Sequence, residues 1–197
     1  MNQTRTSRLL TLTALAVLGA VFSSSVIWAQ TTPPADTYKV NYFSNANTAG
    51  VPDETVQITN PGSTGGSVCA LIYVTNPSQE VLECCACSIT ENGLLTLSVN
   101  GNLTANSLTP EAITAGTIHV ISSSTCNAAK PTPVSGGVRA WGTHIQMPAG
   151  ATAPTITETD FLDATLSSAE ESKLGTLCGS FISNGSGFGI CNCGLGG

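Results

Sequence analysis

Val68-Cys69-Ala70-Leu71-Ile72-Tyr73-Val74-Thr75 is the stretch whose reading decides the fold. Seven of its eight residues are apolar, most of them β-branched or aromatic. Val68, Ala70, Ile72 and Val74 form one alternate set, and Cys69, Leu71 and Tyr73 form the other. Both faces of such a strand are apolar, so it belongs in the centre of a sandwich, buried on two sides. Ser63–Ser67 is a Gly-containing turn before it, and Asn76-Pro77-Ser78 breaks it after Thr75.

Working outward, further short strands are separated by turn clusters. Tyr38–Phe43 alternates with period two. Thr55–Thr59 is stopped by Asn60-Pro61-Gly62. Val81–Thr90 carries Cys84, Cys85 and Cys87. Leu94–Val99 places Leu95, Leu97 and Val99 on one face. Asn92-Gly93 and Asn100-Gly101 are turns of the type that hairpins use. Gly116–Ser122 and Val138–Met147 complete the set, the latter with Trp141, Thr143, Ile145 and Met147 on one side. This spacing predicts an all-β fold, a disulfide-stapled sandwich of Ig-like or jelly-roll-like type. One short C-terminal helix is expected over Ala169–Ile182, opened by the capping box Ser167-Ser168-Ala169-Glu170 and weakened by Gly175 and Gly179.

The amino terminus reads as a secretory signal over residues 1–29. Arg5 and Arg8 precede an apolar run from Leu9 to Phe22, and small residues lead to Ala29. A cut after Ala29 leaves Gln30 first; bulky Ile27 keeps a cut after Ala20 as the alternative. The apolar run is too short for a mature membrane span. Residues 30–37 then form an extended, Pro-containing arm, and 38–197 one disulfide-rich domain of ordinary size.

Removing the leader leaves four basic against twelve acidic residues, a net charge of −8. Lys39, Lys130, Arg139 and Lys173 are scattered, which excludes nucleic acid as a partner because phosphate neutralisation needs clustered cations. Charged residues make up 9% of the chain, against about 25% in ordinary domains. Thr, Ser, Asn and Gly take the polar positions instead. A surface this neutral is covered by hydroxyl hydration or glycans, or else is buried against other copies of the chain.

The eight cysteines are Cys69, Cys84, Cys85, Cys87, Cys126, Cys178, Cys191 and Cys193. An even number in an exported chain predicts four disulfides. Neighbouring Cys84 and Cys85 point to opposite faces of a strand and must take different partners. Cys178 is expected to pair with Cys191 or Cys193 and pin the Gly-rich tail. The clusters do not form two Cys-x2–4-Cys knuckles, so neither a metal nor any other cofactor is expected.

Catalytic signals are sparse. His119 and His144 lie in strands with no adjacent acid or nucleophile motif, and no nucleophile elbow, zinc-binding helix signature or phosphate loop occurs. No catalytic residue is assigned. Glu158, Asp160 and Asp163 read as solvated loop charges, with calcium binding or a hydrolytic carboxylate pair as the sharper alternatives. Asn102 and Asn184 head glycosylation sequons, and Thr31 and Thr32 stand beside prolines where O-glycans occur.

Val68-Cys69, Glu83-Cys84-Cys85-Ala86-Cys87, Leu94–Asn100, Arg139-Ala140-Trp141 and Cys191-Asn192-Cys193-Gly194 together resemble a group of secreted cysteine-rich proteins of soil bacteria to which no activity is assigned. The resemblance implies a bacterial source and an exported, disulfide-bonded domain, and it transfers no functional residue. Type IV pilins keep an apolar N-terminal helix with a Glu near its start, and Leu9–Phe22 has none. Chaperone–usher pilins end in an aromatic-bearing strand, whereas this chain ends in Gly-rich sequence.

These features point to a secreted, non-enzymatic structural protein that assembles with itself, as a filament or surface-layer subunit at the cell surface. The segment expected to mediate assembly is the strand of Tyr38, Val40, Tyr42 and Phe43, added to the sheet edge of a neighbouring copy. The simpler alternative is that this segment is the domain's own first strand. A binding module for carbohydrate or a cell-surface partner is the second functional reading, and a hydrolase of unfamiliar type the third.

Overall fold

The computed structural model describes residues 35–110 and 112–194. The signal segment, Gln30–Pro34 of the arm (with Thr31 and Thr32) and the last three residues lie outside them.

Nine strands form two antiparallel sheets, with one helix after them. The strands are β1 (Tyr38–Phe43), β2 (Thr55–Thr59), β3 (Val68–Thr75), β4 (Val81–Ile89), β5 (Leu94–Ser98), β6 (Gly116–Ser123), β7 (Arg139–Gln146), β8 (Thr155–Asp160) and β9 (Leu162–Ala164). The larger sheet has the order β4-β3-β6-β1-β9 and the smaller β5-β2-β7-β8. The sandwich is therefore as the strand spacing predicts. Helix α1 (Ser168–Asn184) is two residues longer at its end than the sequence pattern suggests. The Ser167 hydroxyl caps it, accepting from the Glu170 N–H at 3.1 Å.

Every residue of β3 is buried, for a reason more specific than a central place in a sandwich. Val68, Ala70, Ile72 and Val74 join the core between the sheets, with Ile58, Leu95, Leu97 and Val120. Cys69, Leu71 and Tyr73 join a second core beneath α1, with Leu174, Cys178 and Phe181. The larger sheet is thus a middle layer, covered by the smaller sheet on one face and by the helix on the other. Each fully buried Leu or Ile contributes roughly 1.5–3 kcal/mol. The crossing of β6 past β3 is tight at Gly116: a Cβ there would lie 2.0 Å from the Thr75 carbonyl oxygen and 2.9 Å from the Phe43 ring.

Several sequence expectations are corrected. Asn92-Gly93 does not close a hairpin. β4 pairs with β3 and β5 pairs with β2, so this turn carries the chain from one sheet to the other. Asn100-Gly101 lies inside one π-helical turn, Val99–Leu103, started by the Ser98 side chain. Residues 35–37 are not part of a free arm. They form a 3₁₀ turn, and Asp36 Oδ2 accepts from the Gly136 N–H at 2.7 Å. The segment 155–164, read as loop, is two strands. Its alternating Thr residues favour extended backbone, but β8 is exposed throughout, so it lacks the hydrophobic signal by which strands are found.

Disulfide bonds link Cys69–Cys126, Cys84–Cys178, Cys85–Cys191 and Cys87–Cys193. Cys84 and Cys85 take different partners on opposite faces of β4, as strand alternation requires. Cys178 does not reach the tail cysteines. Its helix packs on the outer face of the larger sheet, so it meets Cys84, while Cys191 and Cys193 pass the edge of β4 and bond to the residues that face inward. Four disulfides belong to an oxidising compartment. No helix among the described residues is long and apolar enough to cross a membrane.

Candidate functional site: an apolar groove at the sheet corner

Tyr38–Phe43, singled out as an assembly strand, lies inside the chain's own larger sheet. β1 pairs with β6 along its whole length and with β9 only over Tyr38–Val40. Beyond Leu162 the chain leaves for the other sheet. Phe161, itself buried, donates its N–H to the Ala140 carbonyl at 2.9 Å. The β8–β9 segment is therefore one edge that changes sheets at Phe161, and it opens a corner beside the second half of β1.

An open groove of ≈ 710 Å³ occupies that corner, lined by Val40, Asn41, Tyr42, Thr117, Thr159, Asp160, Leu162, Asp163 and Ala164. Leu162 is 74% exposed and Tyr42 47%. Ile156, on the neighbouring strand, is 59% exposed. Phe43 instead is buried in the inter-sheet core.

Polar interactions hold the walls. The Tyr42 ring lies parallel to the His144 ring, centroids 4.0 Å apart. His144 is buried and its Nε2 shares a hydrogen bond of 2.7 Å with Thr159 Oγ1. Its Nδ1 is buried without a partner, and burial lowers its pKa. Asn41 Nδ2 donates to Thr159 Oγ1 at 3.3 Å. Lys39, almost fully buried, pairs with Asp163 directly opposite on β9, the one ion pair among the described residues.

The carboxylates read as solvated charges, with calcium binding or hydrolysis as the alternatives, do not converge. Glu158 and Asp160 are exposed on β8, and Asp163 is held by Lys39. Among the described residues, the one His/Cys/Asp/Glu trio with ligand atoms within 4.8 Å of one another is Cys85, Cys87 and Cys193. These sulfurs are committed to disulfides and offer no thiolate to an ion.

His119 is the other chemically notable side chain. Its Nδ1 lies 2.5 Å from the Tyr38 hydroxyl and its Nε2 3.0 Å from Thr117 Oγ1. Thr117 Oγ1 in turn meets Thr75 Oγ1. Burial pushes the imidazole down to about 4, helped by Lys173, and pushes the Tyr38 phenol up. At neutral pH the ring is uncharged. One ring nitrogen then donates and the other accepts, and the Tyr38 and Thr117 hydroxyls take the complementary roles. This chain of hydrogen bonds ties β1 to β6 and β3.

Two buried carboxyls escaped the sequence reading, since nothing in Asp53-Glu54 or Glu83-Cys84 marks them. Glu54 accepts from the Ile145 N–H at 2.7 Å and the Ser44 N–H at 3.1 Å, joining the loop after β1 to β7. Burial raises its pKa against those hydrogen bonds. Glu83 is fully buried. Its Oε1 accepts from the Asn106 N–H at 3.0 Å, its Oε2 has no partner, and burial pushes the group up to about 8. Of the sequons, Asn184 is exposed at the last residue of α1, whereas Asn102 is half-buried and accepts from the Ser98 N–H at 2.8 Å.

Comparison with protein-family models, with curated proteins and with solved structures finds no match to the chain.

Proposed function

We propose that this chain is an extracellular structural protein that associates with copies of itself through the β8–β9 flank. The observation that carries the reading is the exposed apolar pair of Tyr42 and Leu162, which line one groove at an open sheet edge. Side chains of this size grouped on an edge favour burial against another surface. Charged residues make up 9% of the chain, so few charges need to lose their water at a contact between copies. β1 is already paired on both sides over Tyr38–Val40, so assembly need not remove it from its own sheet. Light scattering of the mature protein across a concentration series tests the reading. Multimers that revert to monomer in Leu162→Glu support it. A wild-type protein that stays monomeric at millimolar concentration refutes it.

A binding module is the second reading, favoured by one specific arrangement. Tyr42 offers a half-exposed ring beside Asn41, Thr159 and Asp160, the mix of apolar face and hydrogen-bonding groups that takes a sugar ring. Glycan-array binding lost in Tyr42→Ala would support this reading over self-association.

A further inference from the structure

The self-association reading leaves open what fills the groove. We infer that its occupant is the segment Gln30-Thr31-Thr32-Pro33-Pro34 of a second copy, bound in an extended polyproline conformation against Tyr42 and Leu162.

Three observations converge on this segment. The first is chemical fit. Pro33-Pro34 is the only Pro-Pro pair in the sequence, and such pairs dock on aromatic-lined apolar grooves with little ordering entropy. The prolines offer carbonyls and no N–H, so they need a donor beside an apolar floor, and Asn41, whose Nδ2 carries a second N–H besides the one turned to Thr159, stands there. The second is charge. Asp160 ends β8 next to the groove and Glu158 lies two residues before it, where they attract the ammonium of a chain beginning at Gln30. The third is length. Five residues of polyproline helix span about 15 Å, enough to run the length of β9, about 10 Å as extended strand, and to pass the bend at Phe161.

The direction of the chain selects a neighbour over the chain's own arm. Asp36 is bound to Gly136, and the 3₁₀ turn 35–37 feeds directly into Tyr38. The groove lies further along β1, beyond Val40. To enter its own groove the arm would have to reverse at Pro33-Pro34, a pair whose rings restrict φ and resist such a reversal. Reaching into another copy needs no reversal. A contact of arm to groove is head-to-tail, so repetition gives rings or open fibres.

Photo-crosslinking of the full mature chain tests this inference, which rests on the self-association reading. Thr32 is replaced by benzoylphenylalanine in unlabelled protein, mixed with ¹⁵N-labelled protein of natural sequence and irradiated. Cross-links from unlabelled residue 32 to ¹⁵N peptides containing Tyr42 or Leu162 are expected, falling at least tenfold when the ¹⁵N partner carries Tyr42→Ala. Cross-links confined to one isotope, or directed to other surfaces, overturn the inference. Multimers in light scattering without groove cross-links overturn it and leave self-association standing. Monomers at every concentration sink both.

Discussion

The two flanks of the sandwich are closed by different forces. On the β4 flank the closure is covalent. Cys84, Cys85 and Cys87 on one strand bond to the helix and to the tail. The tail also pairs with the strand edge: Cys84 N–H donates to the Gly189 carbonyl at 2.9 Å and Cys191 N–H to the Cys84 carbonyl at 3.1 Å. Gly189 holds φ +81° against the Phe181 ring, where a Cβ would come within 2.9 Å. The tail thus covers that edge at Cys84. On the β8–β9 flank one strand crosses between sheets, held by Phe161, a ladder of three residue pairs and the Lys39–Asp163 ion pair. Its apolar side chains remain in solvent. The contrast teaches where the covalent links lie: they anchor helix and tail along β4 and leave the β8–β9 flank to non-covalent contacts.

Removing one staple gives the largest expected effect. Cys84→Ala with Cys178→Ala opens the link between β4 and α1; with Cys85–Cys191 kept, that link closes a ring of roughly 15 residues, which carries about 3 kcal/mol. Urea denaturation should show that loss, with α1 becoming sensitive to protease. If stability is unchanged, the β4 flank owes its closure to packing and the contrast fails.

Phe161→Ala should destabilise the open flank by about 3 kcal/mol, the usual loss for a buried aromatic. Limited proteolysis should then cut within 155–164 before any site near β4. Cleavage near β4 first would mean that the flanks are equally secure.

The pH dependence sets Glu83, on the β4 flank, against His119, on the middle strand of the larger sheet, by sign. Glu83 on β4 is held at about 8, above its ordinary value near 4.5. The fold therefore favours its protonated form, and this contribution, complete below pH 4.5, is lost as pH rises to 8. The slope cannot exceed about 1.4 kcal/mol per pH unit. His119, which joins β1 to β6, is held at about 4, below its ordinary 6.5. Its contribution is present above pH 6.5 and lost as pH falls toward 4. Thermal melts should flatten on the alkaline side in Glu83→Gln and on the acid side in His119→Gln. A Glu83→Gln profile identical to wild type would show that the carboxyl is not desolvated.

The smallest effect tests the ion pair. Lys39→Met leaves Asp163, half-exposed, to be solvated, and should cost under about 1 kcal/mol. Asp163→Asn leaves a buried ammonium without its counter-charge and should cost about 1–2 kcal/mol. Chemical denaturation of the two variants compares them. Equal losses would place Lys39 in water.

Much of the framework was legible because burial writes itself in alternation. β3, β4 and β5 can be read from their apolar residues, and the opposed directions of Cys84 and Cys85 follow from strand geometry alone. β8 and β9 could not be read in that way. Their sequence, Thr-Ile-Thr-Glu-Thr-Asp followed by Phe-Leu-Asp-Ala, carries no buried face, and its strand character comes from pairing with β7 and β1. The groove was hidden for the same reason, since its walls come from β1, β6, β8 and β9, distant in sequence. Tyr42 was singled out, but its stacking on His144 was not foreseeable.

By itself the sequence determined the class of fold, the even pairing of cysteines and the burial of Val68–Thr75 on both faces, because each depends on local periodicity or on a count. The tertiary structure alone decided which cysteines join, which edge stays open and which carboxyls lose their water. Those outcomes depend on distances between residues up to 124 positions apart, as for Lys39 and Asp163, and local pattern carries no information about such distances until the sheets are stacked.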